Sequence, residues 1–137
     1  MKKRYLDIGP GNSPTFMSGD AIDIEDSRKY WKETAGVNPN RFTFVFGRAE
    51  NLPYDSNTFD DIFAGGVFGA YAKLEPSVHE ACRVLKPGGH IMIRTWGKYK
   101  KQSLQLLKRC GLRITNVERQ GMELRADDDE YIIEGTK

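Results

Sequence analysis

The sequence predicts an α/β domain built on a mainly parallel sheet of about seven strands with few helices. Short apolar or β-branched segments alternate with segments of helical periodicity along most of the chain. Glycines and prolines separate these segments, and no repeat, low-complexity tract or linker interrupts them. The length of 137 residues fits one domain, so we expect residues 1–137 to form a single unit.

The predicted strands are short, rich in apolar or β-branched residues and bounded by turn residues. They are Arg4–Ile8, Ala21–Ile24, Phe42–Phe46, Asp60–Ala64, His90–Thr95, Leu112–Val117 and Glu130–Glu134. The last two strands have no helix between them, and the polar segment 118–129 is suited to a hairpin loop. We therefore expect one of these two strands to run antiparallel at an edge of the sheet.

The helices are predicted from capping residues and apolar stripes. Asp26 or Ser27 is suited to begin a helix over residues 26–35, which Gly36 can end. Pro76 suits the first turn of a second helix, and the turn Lys86–Gly89 stops it. The apolar stripe of this helix is predicted from the i, i+3, i+4, i+7 spacing of Val78, Ala81, Cys82 and Leu85. A third helix is predicted over Lys100–Cys110. Only the nine residues Asn12–Asp20 separate Gly11 from the second strand, which is too short for a crossover with a full helix.

Charge and sequence pattern argue against a membrane protein and give little support for nucleic-acid binding, without excluding it. The formal net charge is only +2, which gives no argument for a nucleic-acid partner. No apolar run approaches the roughly 20 residues of a membrane span, and the N-terminus lacks the apolar stretch of a signal peptide. Cys82 and Cys110 form no metal or redox motif and are expected to be reduced packing residues. The expected location is the cytoplasm, without a metal site.

The glycine-rich turn after the first strand, Gly9-Pro10-Gly11, predicts close approach of a ligand to the backbone. A dinucleotide site would need a third glycine at position 14 and a helix whose N-terminus binds pyrophosphate. This chain has Pro14 there and no room for the helix, so a nicotinamide-dependent oxidoreductase is disfavoured. S-adenosylmethionine has no phosphate, and its carboxylate and amine can be held by loop backbone and side chains.

Two acidic residues belong to the predicted strands next to this loop. Asp23, at the end of the second strand, can accept hydrogen bonds from both ribose hydroxyls of an adenosine ligand. A solvated turn residue or a helix N-cap is the alternative role for it. Asp7, inside the apolar first strand, needs partners, and either loop N–H groups or a ligand amine reached through water would supply them.

Several motifs together resemble the class I S-adenosylmethionine-dependent methyltransferases, and among them the type 11, or UbiE-like, group. The first strand and its loop (LDIGPG) and the acidic second strand (AIDI) resemble the family's first two motifs. Two further motifs are the more specific signal, because they occur in the family's order and spacing. They are AENLPY followed by FD, around the fourth strand, and RVLKPGG, before the fifth. The resemblance runs from about residue 4 to the C-terminus and implies a Rossmann-like methyltransferase sheet.

The resemblance also implies roles in binding S-adenosylmethionine. Gly9, Pro10 and Gly11 would line the methionine part, and Gly65 would lie near the methyl sulfonium. A second set would bind adenosine, with a carboxylate for the ribose and the other residues bordering adenine: Asp23, Ile24, Ala49 and Glu50. The RVLKPGG turn identifies the family without touching a ligand.

This sequence departs from the family pattern at several points. Arg48 occupies the position where the family often has an acidic residue that accepts from the adenine amino group, and arginine only donates. Because the first strand is predicted almost at residue 1, we expect this sequence to lack the N-terminal helices that usually cap the family's substrate pocket. The loop after the fourth strand lacks the family's frequent histidine.

Methyl transfer from a sulfonium needs the nucleophile and the methyl group held close together, and neither a metal nor an oxyanion site. Tyr71 and Trp96 are candidates to wall an acceptor pocket, whereas His79 and His90 are expected elsewhere on the surface or in the core. No catalytic residue is assigned. We expect methyl transfer to a small or peptide-like acceptor, with a homodimer mate or partner protein to cover the bare sheet face. A catalytically degenerate cofactor-binding module, acting as a partner subunit or sensor, is the alternative.

Overall fold

The computed structural model describes residues 2–120 and 129–137. Seven strands form one sheet: β1 (Tyr5–Ile8), β2 (Gly19–Asp23), β3 (Phe42–Phe46), β4 (Phe59–Gly65), β5 (Leu85–Trp96), β6 (Arg113–Gln120) and β7 (Glu130–Thr136). The α-helices are α1 (Trp31–Ala35), α2 (Leu74–Val84) and α3 (Gly97–Arg109). Short 3-10 helices cover Arg28–Tyr30 and Pro39–Arg41. The predicted alternation of strands and helices is confirmed.

The strand order in the sheet is β3-β2-β1-β4-β5-β7-β6. The strands from β1 to β5 pair in parallel, and β7 pairs antiparallel with both β5 and β6. The prediction of an antiparallel C-terminal strand is therefore confirmed, but its expected place at an edge is wrong. β7 lies between β5 and β6, because its apolar Ile133 is fully buried in the core and an edge would leave it half-covered. Most of the predicted loop between the last two strands lies outside the described residues.

The crossover from β1 to β2 contains no helix, as the short spacing predicted. Two other elements differ from their predicted bounds. The first predicted helix divides into the 3-10 helix Arg28–Tyr30 and the short helix α1. Gly36 ends α1 with a φ of +65°. The strand predicted to begin at His90 already begins at Leu85, because Leu85 pairs with Phe59. The register then shifts, and the extra residues lie in β5, between Leu85 and His90.

One face of the sheet, here called the helix-covered face, is packed against α2 and α3. Alternate residues of the central strands point to it and are essentially inaccessible to solvent: Leu6, Ile8, Ile62, Ala64, Ile91, Ile93 and Ile133. Val78 and Ala81 of α2 and Leu106 and Leu107 of α3 complete this core. The stripe predicted for the second helix is confirmed as buried for Val78, Ala81 and Cys82, whereas Leu85, also buried, is already the first residue of β5.

The opposite face carries a smaller cluster only over β2 and β3. Trp31 of α1 packs there against Phe42, with ring centroids 4.9 Å apart, and against Ala21. Over β4, β5 and β7 none of the described helices covers this face, which we call the open face. Its side chains are Asp61, Phe63, His90, Met92, Arg94, Ile132 and Glu134. The first helix that is missing from the crossover thus leaves a sheet surface uncovered.

Candidate functional site

A cavity of about 290 Å³ opens where the parallel strands β1, β2, β3 and β4 end. Cavities at this edge are the common ligand sites of open α/β sheets, and the volume is near the lower end of the range for small-molecule sites, roughly 300–1,000 Å³. We call it the first cavity. The loops that follow these strands form its walls, through residues 9 and 11, 23–25 and 27, 47–50, and 65–67 with 71 and 72.

Gly9 is required at the start of the loop after β1. Its φ is +63°, and a Cβ atom there would clash with Cγ2 of Val67 in the loop after β4. A side chain at residue 9 would therefore have to displace the Val67 side chain and hold a backbone conformation that favours glycine. The Gly9 N–H donates to the carbonyl of Ile22 at 2.8 Å, which anchors this loop to β2.

The rest of the loop is held by α1, which compensates for the missing crossover helix. The indole Nε1 of Trp31 donates to the carbonyl of Gly11 at 2.8 Å. The hydroxyl of Thr34 donates to the carbonyl of Asn12. The backbone next to the cavity is thus positioned by buried or hydrogen-bonded side chains of a neighbouring element instead of by a helix of its own.

Asp23 lies at the end of β2, where the sequence predicted an acceptor for ribose hydroxyls. Its Oδ2 accepts from the Gly11 N–H at 2.9 Å, and its Oδ1 accepts from the N–H groups of Ile24 and Glu25 at 2.7 and 3.3 Å. The carboxylate therefore ties the loop after β1 to the loop after β2. It also lines the first cavity beside Ile24, whose side chain is 53% exposed there.

Arg48, Ala49 and Glu50 form the wall contributed by the loop after β3. Ala49 is buried, and Nε of Arg48 donates to Oε2 of Glu50 at 3.3 Å. The other oxygen, Oε1 of Glu50, is shielded from solvent and has no hydrogen-bond partner among the described residues. An unpaired carboxylate oxygen in such a position is costly unless a ligand donates to it.

Asp7 lies beneath the loop and lines neither cavity described here. Its Oδ1 accepts from the Thr15 N–H at 3.0 Å and its Oδ2 from the Phe16 N–H at 3.2 Å. Burial raises the pKa of this carboxyl to about 6, against the opposing effect of the two backbone N–H groups. Of the two kinds of partner that the sequence left open for Asp7, the structure contains the loop N–H groups.

The first cavity brings together most of the residues that the sequence singled out: Gly9, Gly11, Asp23, Ile24, Ala49, Glu50 and Gly65. Pro10 lines a second cavity of about 280 Å³, which shares Gly9 and Gly65 with the first. The contacts of all these residues with a cofactor stay predictions.

The aromatic and histidine candidates separate as follows. Tyr71, 73% exposed, lines the first cavity, whereas Trp96 lies under Gly66, where an added Cβ would be 3.0 Å from its ring. His90 lies on the open face away from both cavities, with Nε2 3.1 Å from Oε1 of Glu134. His79 is on α2, with Nδ1 3.9 Å from Sγ of Cys110. Both cysteines are free.

Sequence reasoning did not find Ser27, Val67 or Arg94. Ser27 and Val67 line the first cavity from loops that follow strand ends, a position that could have drawn attention to them. Arg94 lines the second cavity from within β5. The sequence signal for Arg94 is a charged residue inside the otherwise largely apolar strand HIMIRT. In the sheet it pairs with Gly65.

Neither a metal centre nor a membrane helix is found in residues 2–120 and 129–137. No group of three or more His, Cys, Asp or Glu side chains there could hold a metal ion. In the same part of the chain no helix is long and apolar enough to cross a membrane.

The methyltransferase domain family matches residues 6–93 of the chain. This range contains every strand end that borders the first cavity as well as the RVLKPGG turn. More than half of the chain is therefore covered by the family pattern, and it is the part that carries the cavity.

Two curated relatives illustrate the similarity. The ubiquinone/menaquinone biosynthesis C-methyltransferase UbiE of Paracoccus denitrificans (strain Pd 1222) is 27% identical over 135 residues, which cover 98% of this chain and 53% of that protein. The malonyl-[acyl-carrier protein] O-methyltransferase of Methylococcus capsulatus is 28% identical over 116 residues, covering 78% of this chain and 42% of that protein. The chain spans about half the length of the curated relatives it matches.

Among solved structures, the geranyl diphosphate C-methyltransferase of Streptomyces coelicolor A3(2), in complex with Mg²⁺, geranyl diphosphate and S-adenosyl-L-homocysteine, superposes with a TM-score of 0.77. The match covers 98% of this chain and 73% of that one at 10% identity. At this identity the likeness concerns the fold alone, which is a Rossmann-like methyltransferase sheet.

Proposed function

Because this chain belongs to the methyltransferase domain family, we propose that it binds S-adenosylmethionine in the first cavity and transfers the methyl group to a small-molecule acceptor. The observation that carries the proposal is the position of the Asp23 carboxylate at the end of β2, joined to the Gly11 N–H at 2.9 Å and facing the cavity. The cofactor supplies a methyl group on a positively charged sulfur, and the residues of the chain bind and orient it.

The adenosine part is proposed to bind between the loops after β2 and β3. Asp23 would accept from the ribose, and roughly four lone-pair positions of a carboxylate leave capacity beyond the three backbone N–H groups that it binds. Ile24 and Ala49 would supply the apolar walls for the adenine ring. The exposed Ile24 side chain would be covered by the ligand, which gives a reason for an isoleucine there.

Glu50 is proposed to take the place of the acidic residue that the family often has at position 48. Arg48 pairs with Oε2 of Glu50, and the exocyclic amino group of adenine is the donor that Oε1 lacks. In this arrangement Arg48 orients Glu50 and does not itself bind the base. The departure at residue 48 is then compensated two residues later.

Gly65 is proposed to lie near the methyl group, since it borders both cavities at the end of β4. Transfer from a sulfonium releases a neutral thioether, so the chain would mainly hold the acceptor in line and at close approach. Tyr71, at the rim of the first cavity, would cover one side of the bound molecule. No residue is assigned as a general base.

The nature of the acceptor is proposed from the relatives, whose names describe methyl transfer in quinone biosynthesis and to malonyl groups on a carrier protein. Their shared feature is a small organic acceptor, and we extend that class to this chain. We further propose that residues 1–137 act as one domain in the cytoplasm. A second copy or a partner protein covering the open face also stays a proposal.

Calorimetric titration with S-adenosylhomocysteine tests the cofactor site, with NAD as the ligand control. Asp23→Ala is expected to weaken binding at least tenfold, because it removes an acceptor for the ribose and releases the Gly11 N–H. Asp26→Ala is the matched control, since Asp26 is an acidic residue of the same loop whose partner is Arg28 and which does not line the cavity. No heat with S-adenosylhomocysteine, or equal affinity in both variants, would contradict the proposal.

Turnover is tested separately with labelled S-adenosylmethionine and a panel of quinol and carboxylic-acid acceptors. Transfer of label that is lost in Asp23→Ala is the expected result. Binding of the cofactor without turnover of any acceptor would favour the cofactor-binding module instead.

A further inference from the structure

The second cavity lies on the open face, between the loop after β1 and the ends of β4 and β5. Pro10 and the segment Asn12–Thr15 form one side, and Phe63, Gly65 and Arg94 form the other. Because Gly9 and Gly65 also line the first cavity, a ligand bound there can extend directly into the second one.

Arg94 is the charged residue among those that line the second cavity. In the sheet it lies between Gly65 of β4 and Ile132 of β7, neither of which can neutralise it. Its side chain is exposed, and no ion pair or hydrogen bond of its guanidinium is found within the described residues. A guanidinium has five N–H donors and stays protonated at any ordinary pH.

The ring of Phe63 positions this cation. Phe63 and Gly65 point to the same face of β4, and the Arg94 Cζ lies 5.8 Å from the centroid of the Phe63 ring. A stacked guanidinium loses less conformational freedom when it binds a ligand than a freely moving one. The wall thus combines an apolar ring, a glycine that permits close approach and a cation with its donors free.

We propose that the second cavity binds a carboxylate group of a ligand and that Arg94 is the residue that pairs with it. The proposal rests on the proposed function, which supplies two sources of such a group: the amino-acid end of S-adenosylmethionine, or a carboxylate on the acceptor. Both place a negative charge beside Gly65, and planar carboxylates match the guanidinium in a two-point contact.

The first arm of the test compares S-adenosylhomocysteine with 5′-methylthioadenosine, which keeps the adenosine and sulfur but lacks the amino-acid end. Their affinities are measured by calorimetry for the wild type, Arg94→Gln and Arg94→Lys. The preference is the ratio of the affinity for S-adenosylhomocysteine to that for 5′-methylthioadenosine. If the carboxylate belongs to the cofactor, Arg94→Gln lowers this preference about tenfold, and Arg94→Lys restores part of it. Arg41→Gln is the control, since it removes the same charge from an exposed residue that lines neither cavity.

The second arm uses glutarate as a probe for an acceptor carboxylate, titrated with and without S-adenosylhomocysteine. Binding is followed through the amide resonances of Gly9, Gly65 and Arg94 in ¹⁵N-labelled protein. If the carboxylate belongs to the acceptor, glutarate shifts these resonances in the wild type and in Arg41→Gln but not in Arg94→Gln, and the preference in the first arm is unchanged.

Either pattern supports the carboxylate site and identifies its source. The site is overturned if Arg94→Gln changes neither the preference for S-adenosylhomocysteine nor the response to glutarate, with thermal melts confirming that the variant is folded. The cofactor proposal fails in a different way, namely if the wild type binds neither S-adenosylhomocysteine nor 5′-methylthioadenosine. In that case the glutarate titration still tests whether Arg94 binds a carboxylate.

Discussion

The helix-covered face and the open face of the same strands differ in what holds their side chains. Ile62, Ile91 and Ile93 are completely covered, whereas their neighbours Met92 and Arg94 on the open face are partly or largely exposed. His90 of the open face pairs with Glu134 at 3.1 Å, whereas the guanidinium of Arg94 has no such partner within the described residues. Apolar burial, and with it most of the folding stability, is therefore concentrated on one face, while the other keeps groups free for ligands where it meets the strand ends.

A pair of truncations should produce the largest difference between the faces. Leu107→Ala removes a completely buried side chain of α3, so we expect a loss of about 2–5 kcal/mol in the free energy of unfolding. Met92→Ala, on the open face, should cost about 1 kcal/mol because its surroundings are already partly solvated. Urea denaturation of both variants measures the difference, and equal losses would mean that the open face is covered in solution.

The buried carboxyl of Asp7, on the open-face side of β1, should make stability depend on pH. Burial raises its pKa from 3.8 to about 6 in the folded protein, so the folded state binds the proton more tightly than the unfolded chain. This contribution is fully present below about pH 4, is lost as the pH rises to about 6, and amounts to about 1–3 kcal/mol.

Asp7→Asn isolates that contribution from the other carboxylates. Urea denaturation of wild type and variant between pH 4 and 7 should show stability falling more steeply with pH in the wild type. Parallel profiles would show that Asp7 titrates near its ordinary value and that water reaches it.

The smallest effect is expected at Glu50, which is proposed to bind the amino group of adenine in the first cavity. Glu50→Gln should lower the affinity for S-adenosylhomocysteine about three- to tenfold, because a neutral oxygen accepts more weakly from the adenine amino group. S-inosylhomocysteine, which has an oxygen in place of that amino group, should bind the wild type more weakly and the variant with less discrimination. The control is Glu33→Gln in α1, and discrimination that persists in Glu50→Gln would assign the base contact to backbone groups.

The strands were predictable because their residues are locally consistent. Phe42–Phe46 has the predicted bounds, and the missing crossover helix followed from the spacing between Gly11 and β2. Strand ends also located most of the cavity, since a parallel sheet brings the residues that follow its strands to one edge. Gly9 and Asp23, far apart in the chain, were found in this way, whereas Ala49 was identified through the family resemblance.

Contacts between elements were not predictable to the same degree. The place of β7 inside the sheet depends on burial of Ile133 against α3 and β5, which no local pattern expresses. The role of Asp7 depends on where Thr15 and Phe16 lie in the folded loop. Arg94 was overlooked because its place in the second cavity depends on Gly65 and Phe63 of the neighbouring strand β4, which are remote from it in sequence.

The sequence by itself determined the fold class, the family resemblance and the set of loops that surround the first cavity, because periodicity, turn residues and strand order in the chain are local properties. The tertiary structure decided which oxygens are already paired, which face of the sheet stays open and which cation borders the second cavity. These depend on distances between residues remote in sequence, and the chain acquires those distances only when the sheet and its two covering helices pack together.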